Sequence, residues 1–324
     1  MHIIMLKLSL FGIILSLIII QVILNPQFAS AKKLITIGEN RKTSLTPFHT
    51  MHTVKSQQCF SRCHYNKKCY SMEIIQTTLY HCNFYDRGLK FTDLNAESPN
   101  TKVYLQVRDC QDLYNLGIRH YGSYEMSLFG DSTEYLVPCH FDSDGGWIVF
   151  QRHIDGRVVF NRGWDDYKNG FGDFKGSFWL GNELLHKITN HQKQQTKIEI
   201  SSFSGASTTV KYGSFKINDE NNKYQLQVSG LMNGGLNVFE TQYNMRFTTF
   251  DSDNDLASHN CAEMYNRGGF WYEYCGIFKP NGIWLEENDS YKPIEDSWIG
   301  MRLSTLSPDY TLNSTLMMIK PAVL

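Results

Sequence analysis

The sequence lacks any excess or block of basic charge. Its 31 lysines and arginines are balanced by 32 acidic residues, which gives a formal net charge of -1. A protein that holds the phosphate backbone of a nucleic acid needs a concentrated basic patch, so we expect no nucleic acid as partner. Collagen repeats and heptad runs are also missing, so the sequence shows no element of its own for oligomerisation.

Catalytic and cofactor-binding motifs are missing as well. The sequence contains no G-x-S-x-G and no H-E-x-x-H, and the glycine-rich stretch Gly170–Gly176 matches neither a dinucleotide-binding loop nor a P-loop, so it predicts a turn. The lack of a C-x-x-C knuckle argues against a zinc site. We predict that the protein is not an enzyme, and the remaining alternative is a hydrolase built from scattered aspartates and histidines.

The N-terminal residues 1–31 differ from the rest of the chain. Lys7 precedes the apolar run Leu8–Leu24, and Asn25-Pro26 and small residues ending at Ala31 then follow, as is typical of a signal peptide with its cleavage site. The alternative is an uncleaved type II membrane anchor, since the run is close to the shortest length that spans a bilayer. Both interpretations place the remaining chain outside the cytosol, and the main prediction is a secreted, extracellular protein.

All eight cysteines lie beyond the signal segment. Their even number and an oxidising compartment predict four disulfides, which leaves no thiol for nucleophilic catalysis. Four cysteines fall close together and the other four form two separated pairs, although spacing alone leaves several pairings open. In chain order they are Cys59, Cys63, Cys69, Cys82, Cys110, Cys139, Cys261 and Cys275.

Residues 32–107 predict a small cysteine-rich module, which begins with a polar leader and a first strand. A short amphipathic helix is predicted within Val54–Cys69, with two cysteines one turn apart on one face. Two stretches that alternate like the strands of a hairpin follow, Ser71–Thr78 and Leu79–Asp86.

This arrangement resembles the core of the apple or PAN module over about residues 45–107. The resemblance implies the disulfides Cys59–Cys82 and Cys63–Cys69. The alternative is a disulfide-stapled spacer without a ligand of its own.

A second region begins just before Asp109 and consists of short aromatic strands separated by turns that contain Gly and Asp. Gly145–Phe160 holds two strand-like runs joined at Asp155-Gly156, which predicts a hairpin. A short helix is predicted over Asn182–Thr189.

The sequence Gly145–Leu185 resembles the signature of the fibrinogen C-terminal domain, and the resemblance extends from Asp109 almost to the C-terminus. It implies an α+β fold for residues 108–324, with a central antiparallel sheet flanked by short helices. The implied disulfides are Cys110–Cys139 and Cys261–Cys275.

The stretch Phe250–Cys261 places three aspartates at alternating positions, Asp251, Asp253 and Asp255. Carboxylates at this spacing suit calcium, which takes hard oxygen ligands in flexible loops. The loop is not an EF-hand, because other residues occupy the positions of its glycine and its glutamate. On the residues alone, the alternative is a solvated acidic turn.

The resemblance to the fibrinogen C-terminal domain implies a calcium site in this loop. Counted back from the cysteine that ends the loop, the implied ligands are the side chains of Asp253 and Asp255 and the backbone carbonyls of Ala257 and His259. Asp251 would then lie behind the ligands without touching the ion.

In the ficolin and tachylectin branch of that family, a pocket beside the calcium receives acetyl groups of N-acetylated sugars. The resemblance places Tyr265 and Tyr291 on aromatic positions of this pocket, beside a Tyr274–Cys275 peptide bond whose counterpart is cis in the family. Gly276 departs from the pattern, because the family has a pocket histidine there, so altered specificity is expected. The neighbouring aromatic residues are predicted to pack in the core: Phe270, Trp271 and Tyr272.

Two N-glycosylation sequons begin at Asn288 and Asn313. Both lie in polar, turn-like sequence, and in a secreted chain we expect occupancy at one or both. Asn313 is close to the predicted last strand, which would hinder its modification.

These features predict a secreted, calcium-dependent lectin that binds acetylated or acidic glycans on cell or microbial surfaces, as the resemblance implies for innate defence. Calcium would hold the loop without touching the ligand. Single carbohydrate sites bind weakly, so a homo-oligomer is expected. The alternative is a matrix, adhesion or signalling protein that binds an extracellular protein, and the missing histidine at Gly276 favours it.

Overall fold

The computed structural model describes residues 34–43, 45–65, 68–86, 94–130, 133–232, 236–264, 267–291 and 299–322. The predicted signal segment, residues 1–31, lies outside them. The chain forms two compact units. The first consists of the residues up to Arg108 together with Asn115–Ile118 and Met126–Tyr135, and the second holds the rest.

Among its described residues, the first unit contains one helix and five strands. In chain order they are β1 (Leu34–Thr43), β2 (His49–Thr53), α1 (Ser56–Tyr65), β3 (Ser71–Gln76), β4 (Tyr80–Tyr85) and β5 (Leu94–Gln106). The strands form one antiparallel sheet in the order β1-β5-β3-β4-β2. The predicted helix and hairpin of this region are both present.

Two disulfides tie helix α1 into this unit. Cys59 is bonded to Cys82 in β4, and Cys63 is bonded to Cys69 just before β3. These are the pairings that the resemblance to the apple module implies. The four cysteines are buried together with Met72, Ile74 and Phe84 of the sheet, so the covalent links run through the core of the unit.

The second unit is α+β. Its helices are α2 (Cys110–Asn115), α3 (Trp164–Asn169) and α4 (Asn182–His191), with 3-10 turns at Glu220–Asn222 and Glu287–Asp289. Its strands are β6 (Gly122–Met126), β7 (Tyr135–Asp142), β8 (Gly145–His153), β9 (Phe171–Gly172), β10 (Phe178–Trp179), β11 (Gln194–Ser202), β12 (Ser207–Ile217), β13 (Leu226–Leu231), β14 (Phe278–Lys279), β15 (Arg302–Leu303) and β16 (Leu312–Pro321).

The main sheet of this unit runs in the order β13-β12-β11-β16-β8-β10-β9, and β7 also pairs with β8. Strand β16 lies near the middle of the sheet although it is the last strand of the chain. Its Thr315 exchanges two buried hydrogen bonds with Gln151 of β8, of 2.8 and 3.2 Å. The sheet is therefore complete only when the C-terminal residues are in place.

The predicted hairpin at Asp155-Gly156 is wrong. Strand β8 ends at His153, and no strand follows over residues 157–160. Both edges of β8 are already occupied, by β16 on one side and by β7 and β10 on the other. Asp155 instead accepts a 2.8 Å hydrogen bond from the hydroxyl of Ser177, which closes a turn towards β10.

An aromatic cluster fills the space beneath the long loops of the second unit. Trp271 lies against Trp179 and Phe247, with ring centroids 6.0 and 5.2 Å apart. Phe270, Trp271 and Tyr272 are fully buried, as predicted. The cluster adjoins the acidic loop, because the side-chain amide of Asn254 donates a hydrogen bond to the backbone carbonyl of Phe247.

Across the described residues, no helix has both the length and the apolar character needed to cross a bilayer.

Candidate calcium loop and adjoining surface

The acidic loop Asp251–Cys261 is fixed by bonds to its immediate surroundings. Its last residue forms a disulfide with Cys275. The side-chain amides of Asn254 and Asn260 each donate a 2.9 Å hydrogen bond to a backbone carbonyl just before the loop. The side-chain amides therefore tie the loop to the backbone that precedes it.

Asp255 is the central carboxylate of the loop. Its Oδ1 accepts a hydrogen bond from the backbone N–H of Ala257 and its Oδ2 from that of Cys261, both at 2.9 Å. Asp253 Oδ1 accepts a longer bond, 3.3 Å, from the N–H of Asp255. The two predicted carboxylate ligands therefore lie in one turn, with Asp253 exposed and Asp255 half-buried.

Burial raises the pKa of Asp255 above its ordinary value. The backbone N–H groups of Cys261 and Ala257 oppose this rise by stabilising the charged form, whereas the charge of Asp253 adds to it. A cation bound to both carboxylates relieves their repulsion and replaces the lost hydration. The electrostatics of the pair therefore favour cation binding.

The donor set of the loop fits calcium. Beside the two carboxylates, the carbonyl oxygens of Ala257 and His259 accept no hydrogen bond from any residue described. Carboxylate and carbonyl oxygens in a flexible loop are the ligands that calcium prefers. Bound calcium would supply charge neutralisation and hold the loop in place, and the four ligands stay a prediction.

Asp251 has a contact that the sequence did not indicate. Its Oδ1 accepts a 2.9 Å hydrogen bond from the backbone N–H of Trp164 and a 2.6 Å bond from the hydroxyl of Thr249. Trp164 is the first residue of α3, and the residue at the N-cap position, Gly163, has no side chain to cap it. Asp251 therefore caps α3 and ties the loop to this helix.

The residues predicted to line the acetyl pocket make separate contacts. Tyr265 lies outside the described residues. The ring of Tyr291 lies edge-on against Tyr310, with centroids 5.3 Å apart, and within the described part of the chain no hydrogen bond or ring contact joins it to Tyr274. The Tyr274–Cys275 peptide bond is trans, unlike its counterpart in the family.

Gly276 lies against a buried side-chain amide. A Cβ at this position would lie 2.9 Å from Gln242 Nε2 and 3.7 Å from Thr241 Oγ1. Gln242 is fully buried, and neither amide atom has a hydrogen-bond partner among the residues described. The φ angle of Gly276 is +46°, which glycine adopts without strain. A histidine at this position would require Gln242 to move.

Three large side chains are exposed near Gly276, and we call them the loop face. They are Tyr243, Leu256 and Tyr274, with 52%, 53% and 66% of their surface exposed. The backbone N–H of Leu256 donates a 2.9 Å hydrogen bond to the carbonyl of Glu273, which places Leu256 beside Tyr274. Tyr243 follows Gln242, whose amide lies under Gly276.

The comparison with family models decides the identity of this unit. The model for the C-terminal globular domain of the fibrinogen beta and gamma chains matches residues 106–322. The chain belongs to the fibrinogen C-terminal domain family.

Relatives of known name match more than the fibrinogen-like domain alone. Fibrinogen-like protein 1 of Mus musculus is 31% identical over 271 residues, which cover 76% of this chain and 82% of the relative. The protein of the same name from Homo sapiens is 31% identical over 256 residues, which cover 74% of this chain and 78% of the relative.

Solved structures are similar to the fibrinogen-like domain. The fibrinogen-like globe domain of human ANGPTL2 superimposes with a TM-score of 0.61 at 29% identity, covering 67% of this chain and 99% of that one. A lamprey fibrin D-dimer complexed with the peptide Gly-His-Arg-Pro-amide has a TM-score of 0.58 at 27% identity, covering 67% of this chain and 74% of that one.

The two disulfides of the fibrinogen-like domain are the ones that the resemblance implies. Cys110 is bonded to Cys139, and Cys261 to Cys275. The first joins α2 to β7, and the second closes the segment that carries Tyr274 of the loop face.

A second acidic group on the fibrinogen-like domain is neutralised by a lysine. Ligand atoms of His140, Asp142 and Glu199 lie within 4.8 Å of one another, but the buried ammonium of Lys197 contacts Asp142 and lies 3.2 Å from Glu199. Burial alone would raise the pKa of Asp142, yet the hydrogen bond from Lys197 brings it below its ordinary value. This group is therefore an ion-pair network.

Proposed function

We propose that the fibrinogen-like domain is an extracellular recognition domain that binds a protein partner through the loop face. Calcium, bound by Asp253 and Asp255 with the carbonyls of Ala257 and His259, holds the loop that presents this surface. The domain carries no catalytic role in this proposal. The acetyl-sugar lectin predicted from the sequence is the competing function.

The observation that carries the proposal is the packing of Gly276 on Gln242. Residue 276 is a glycine, so the imidazole on which the family's acetyl pocket depends is missing, and Gln242 Nε2 lies 2.9 Å from the place of a Cβ at this position. The surface beside it exposes Tyr274, Tyr243 and an aliphatic side chain. Protein interfaces are enriched in tyrosine, and tyrosines often contribute most of the binding energy.

A solved relative supports a peptide or protein ligand. The lamprey fibrin structure, which has the same fold, is a complex with a short peptide. A protein that carries this fold is therefore found in complex with a peptide, and we extend that class of ligand to this chain.

We extend the proposal to the N-terminal part of the chain. Residues 1–31 direct secretion, and residues 32–107 form an apple- or PAN-like module that joins copies of the chain into a homo-oligomer. The helix stapled to a five-stranded sheet supports the module. Joining several recognition domains raises the overall affinity of weak sites by avidity.

The test sets protein and sugar ligands side by side. The full chain, secreted from mammalian cells and multimerised on a tag, is applied in calcium buffer to an array of extracellular protein ectodomains and to an array of N-acetylated glycans. We expect binding to an ectodomain that persists after enzymatic removal of its N-glycans. Tyr274→Ala should weaken it by roughly tenfold or more, the effect of removing an interface anchor.

Tyr121→Ala is the matched control, because Tyr121 is also an exposed tyrosine but its hydroxyl bonds to the carbonyl of Phe174, away from the loop. It should leave binding unchanged. Calcium-dependent retention on N-acetylated sugars that Tyr274→Ala abolishes, with no ectodomain bound, would establish the lectin instead.

A further inference from the structure

A row of serines crosses the main sheet of the fibrinogen-like domain. Ser201 in β11 pairs with Ser207 in β12 on one side and with Ser314 in β16 on the other. The hydroxyl oxygens of Ser201 and Ser314 lie 2.6 Å apart. We call these three residues the serine row.

The serine row lines a cavity of about 520 Å³ that is open to solvent. This volume falls within the range of about 300–1,000 Å³ for pockets that hold drug-sized ligands, and a disaccharide is of that size. Hydroxyl groups, one cation, one anion and short aliphatic side chains form its wall, contributed beside the serine row by Arg152, Ile154, Glu199, Ile200, Thr208, Thr209 and Leu316. Such a lining suits a polyhydroxylated ligand better than an apolar one.

Two hydrogen bonds hold the side chain of Arg152, the cation in the wall of the cavity. Arg152 Nε donates a 2.6 Å hydrogen bond to the carbonyl of Gly176, and its Nη2 donates a 3.1 Å bond to that of Phe174. The guanidinium therefore has one position in the folded domain.

The Asn313 sequon lies at the edge of the cavity. Asn313 Oδ1 accepts a hydrogen bond from the hydroxyl of Ser201, the central member of the serine row. Asn313 Nδ2, the atom to which an N-glycan is attached, bonds to no described residue and does not belong to the buried polar atoms without a partner, so it contacts solvent. A sugar linked to this atom starts beside Ser201.

We propose that the N-glycan of Asn313 folds back into this cavity, where the serine row and its neighbours hold the first sugar residues. The proposal is independent of the ligand of the loop face. It requires only that the chain passes through a compartment that attaches N-glycans.

The covalent bond to Asn313 favours the N-glycan over a free saccharide as the ligand of the cavity. The residues that line the cavity include no aromatic ring on which a free sugar would stack, so a free saccharide gains little there. A tethered glycan has an effective concentration on the order of millimolar, and a weak intrinsic affinity is enough to keep it docked.

The position of β16 in the sheet also determines whether the glycan is attached before or after folding. The hydroxyl of Thr315, which the glycosylating enzyme must recognise in the sequon, is fully buried and bonded to Gln151 in the folded domain. The sugar is therefore attached before β16 enters the sheet, and folding then carries it to the cavity.

The test compares both sequons in one folded protein. The full chain is secreted from mammalian cells behind a heterologous signal peptide, and mass spectrometry measures occupancy at Asn313 and at Asn288, which is exposed in a 3-10 turn. The native protein is then treated with peptide-N-glycosidase F. We expect the glycan of Asn313 to be released roughly tenfold more slowly than that of Asn288, with equal release after denaturation.

Two substitutions distinguish a glycan that is docked in the cavity from one whose release is slow only because strand β16 crowds it. Ser207→Trp fills the cavity from an exposed position and should raise release at Asn313 to the rate at Asn288. Ser229→Trp is the matched control, because Ser229 is an exposed serine of the same sheet outside the cavity, and it should leave release slow. If Ser207→Trp is not secreted, Thr209→Trp at the neighbouring exposed position serves in its place.

The proposal is overturned by an unmodified Asn313, by equal release from both sites in the folded wild type, or by slow release that persists when the cavity is filled. None of these outcomes bears on binding at the loop face.

Discussion

Asp251 and Asp253 are neighbours in the loop, but their carboxylates make different contacts. Asp253 shares its turn with Asp255, as a predicted calcium ligand, whereas Asp251 caps α3 through the backbone N–H of Trp164. We therefore expect removal of the Asp253 carboxylate to affect calcium binding and removal of the Asp251 carboxylate to affect the helix. The two substitutions can be compared directly.

We expect calcium to raise the melting temperature of the wild-type protein and Asp253→Ala to abolish that rise. A ligand present at about 100 times its dissociation constant stabilises the folded state by ~2.7 kcal/mol. For a domain of this size, that corresponds to a rise of several degrees. The measurement is thermal unfolding, followed by tryptophan fluorescence with calcium and with a chelator.

Asp251→Ala is the control for this experiment. Loss of an N-cap lowers stability by about 1 kcal/mol, so the melting temperature should fall by the same amount with and without calcium, and the calcium-induced rise should stay. Equal melting of the wild type in calcium and in chelator would show that the loop holds no calcium. Loss of the rise in Asp251→Ala would assign Asp251 to the ion.

At the scale of residues, the sequence predicts local relations and misses distant ones. The register of Asp253 and Asp255 against Cys261 is local, so a resemblance to a family is enough to propose ligands. The bond between Asp251 and Trp164 joins residues 87 positions apart, and nothing near Asp251 in the sequence indicates it. Likewise, nothing near Gly276 in the sequence indicates that the side-chain amide of Gln242 lies against it.

At the scale of elements, strand β8 shows why a strong local pattern fails. Asp155-Gly156 is a favourable hairpin turn, but β8 gains more from pairing with β16, which burial and the Thr315–Gln151 bonds stabilise. The partner strand lies at the other end of the chain. A turn signal reports only on neighbours in the sequence and carries no information about such a partner.

His153, the last residue of β8, links this strand to the segment before Asn281. Its Nδ1 lies 3.2 Å from the carbonyl of Pro280 and therefore carries the proton, and its ring stacks on Phe160 with centroids 4.1 Å apart. Burial lowers the pKa of His153 from 6.5 to about 4. The folded domain thus holds this imidazole neutral.

This depressed pKa predicts a pH dependence of stability. Between the two pKa values the unfolded chain binds a proton that the folded chain does not. The stabilisation is therefore complete above pH 6.5 and is lost as the pH falls towards about 4. The loss amounts to roughly 3 kcal/mol at most. His153→Phe, which keeps a ring on Phe160, should flatten the melting temperature over this range.

Melting curves from about pH 4 to pH 7, recorded in chelator, measure this effect. His120→Phe is the control, because His120 is exposed, and it should keep the wild-type slope. An unchanged slope in His153→Phe would show that another group causes the pH dependence.

At the scale of the whole molecule, the sequence predicts a single boundary, between residues 107 and 108. In the structure the chain passes between the two units at several positions. After Arg108 the chain enters the second unit, then contributes Asn115–Ile118 and Met126–Tyr135 to the first. The amino-acid composition changes at Asp109, but it does not change at the short later segments that belong to the first unit. The predicted boundary itself stays a prediction.

Leu116 offers a test of this interleaving. It is 7% exposed and packs in one cluster with Tyr85 and Val103 of the first unit. A polypeptide of residues 108–324 lacks both partners. We expect it to fold, since a solved relative consists of the globe domain alone, and to melt several degrees below the full chain, because exposing a leucine costs about 1.5–3 kcal/mol.

A double comparison isolates the contribution of this cluster. Leu116→Ala should lower the stability of the full chain by about 2–5 kcal/mol, the usual cost of a buried leucine, and should change the 108–324 polypeptide little, because its leucine is already exposed. All six tryptophans lie within residues 108–324, so their fluorescence follows the same part of the chain in both proteins. An equal loss in the two proteins would mean that Leu116 finds its partners within residues 108–324, and the fibrinogen-like domain would then be autonomous from its first residue.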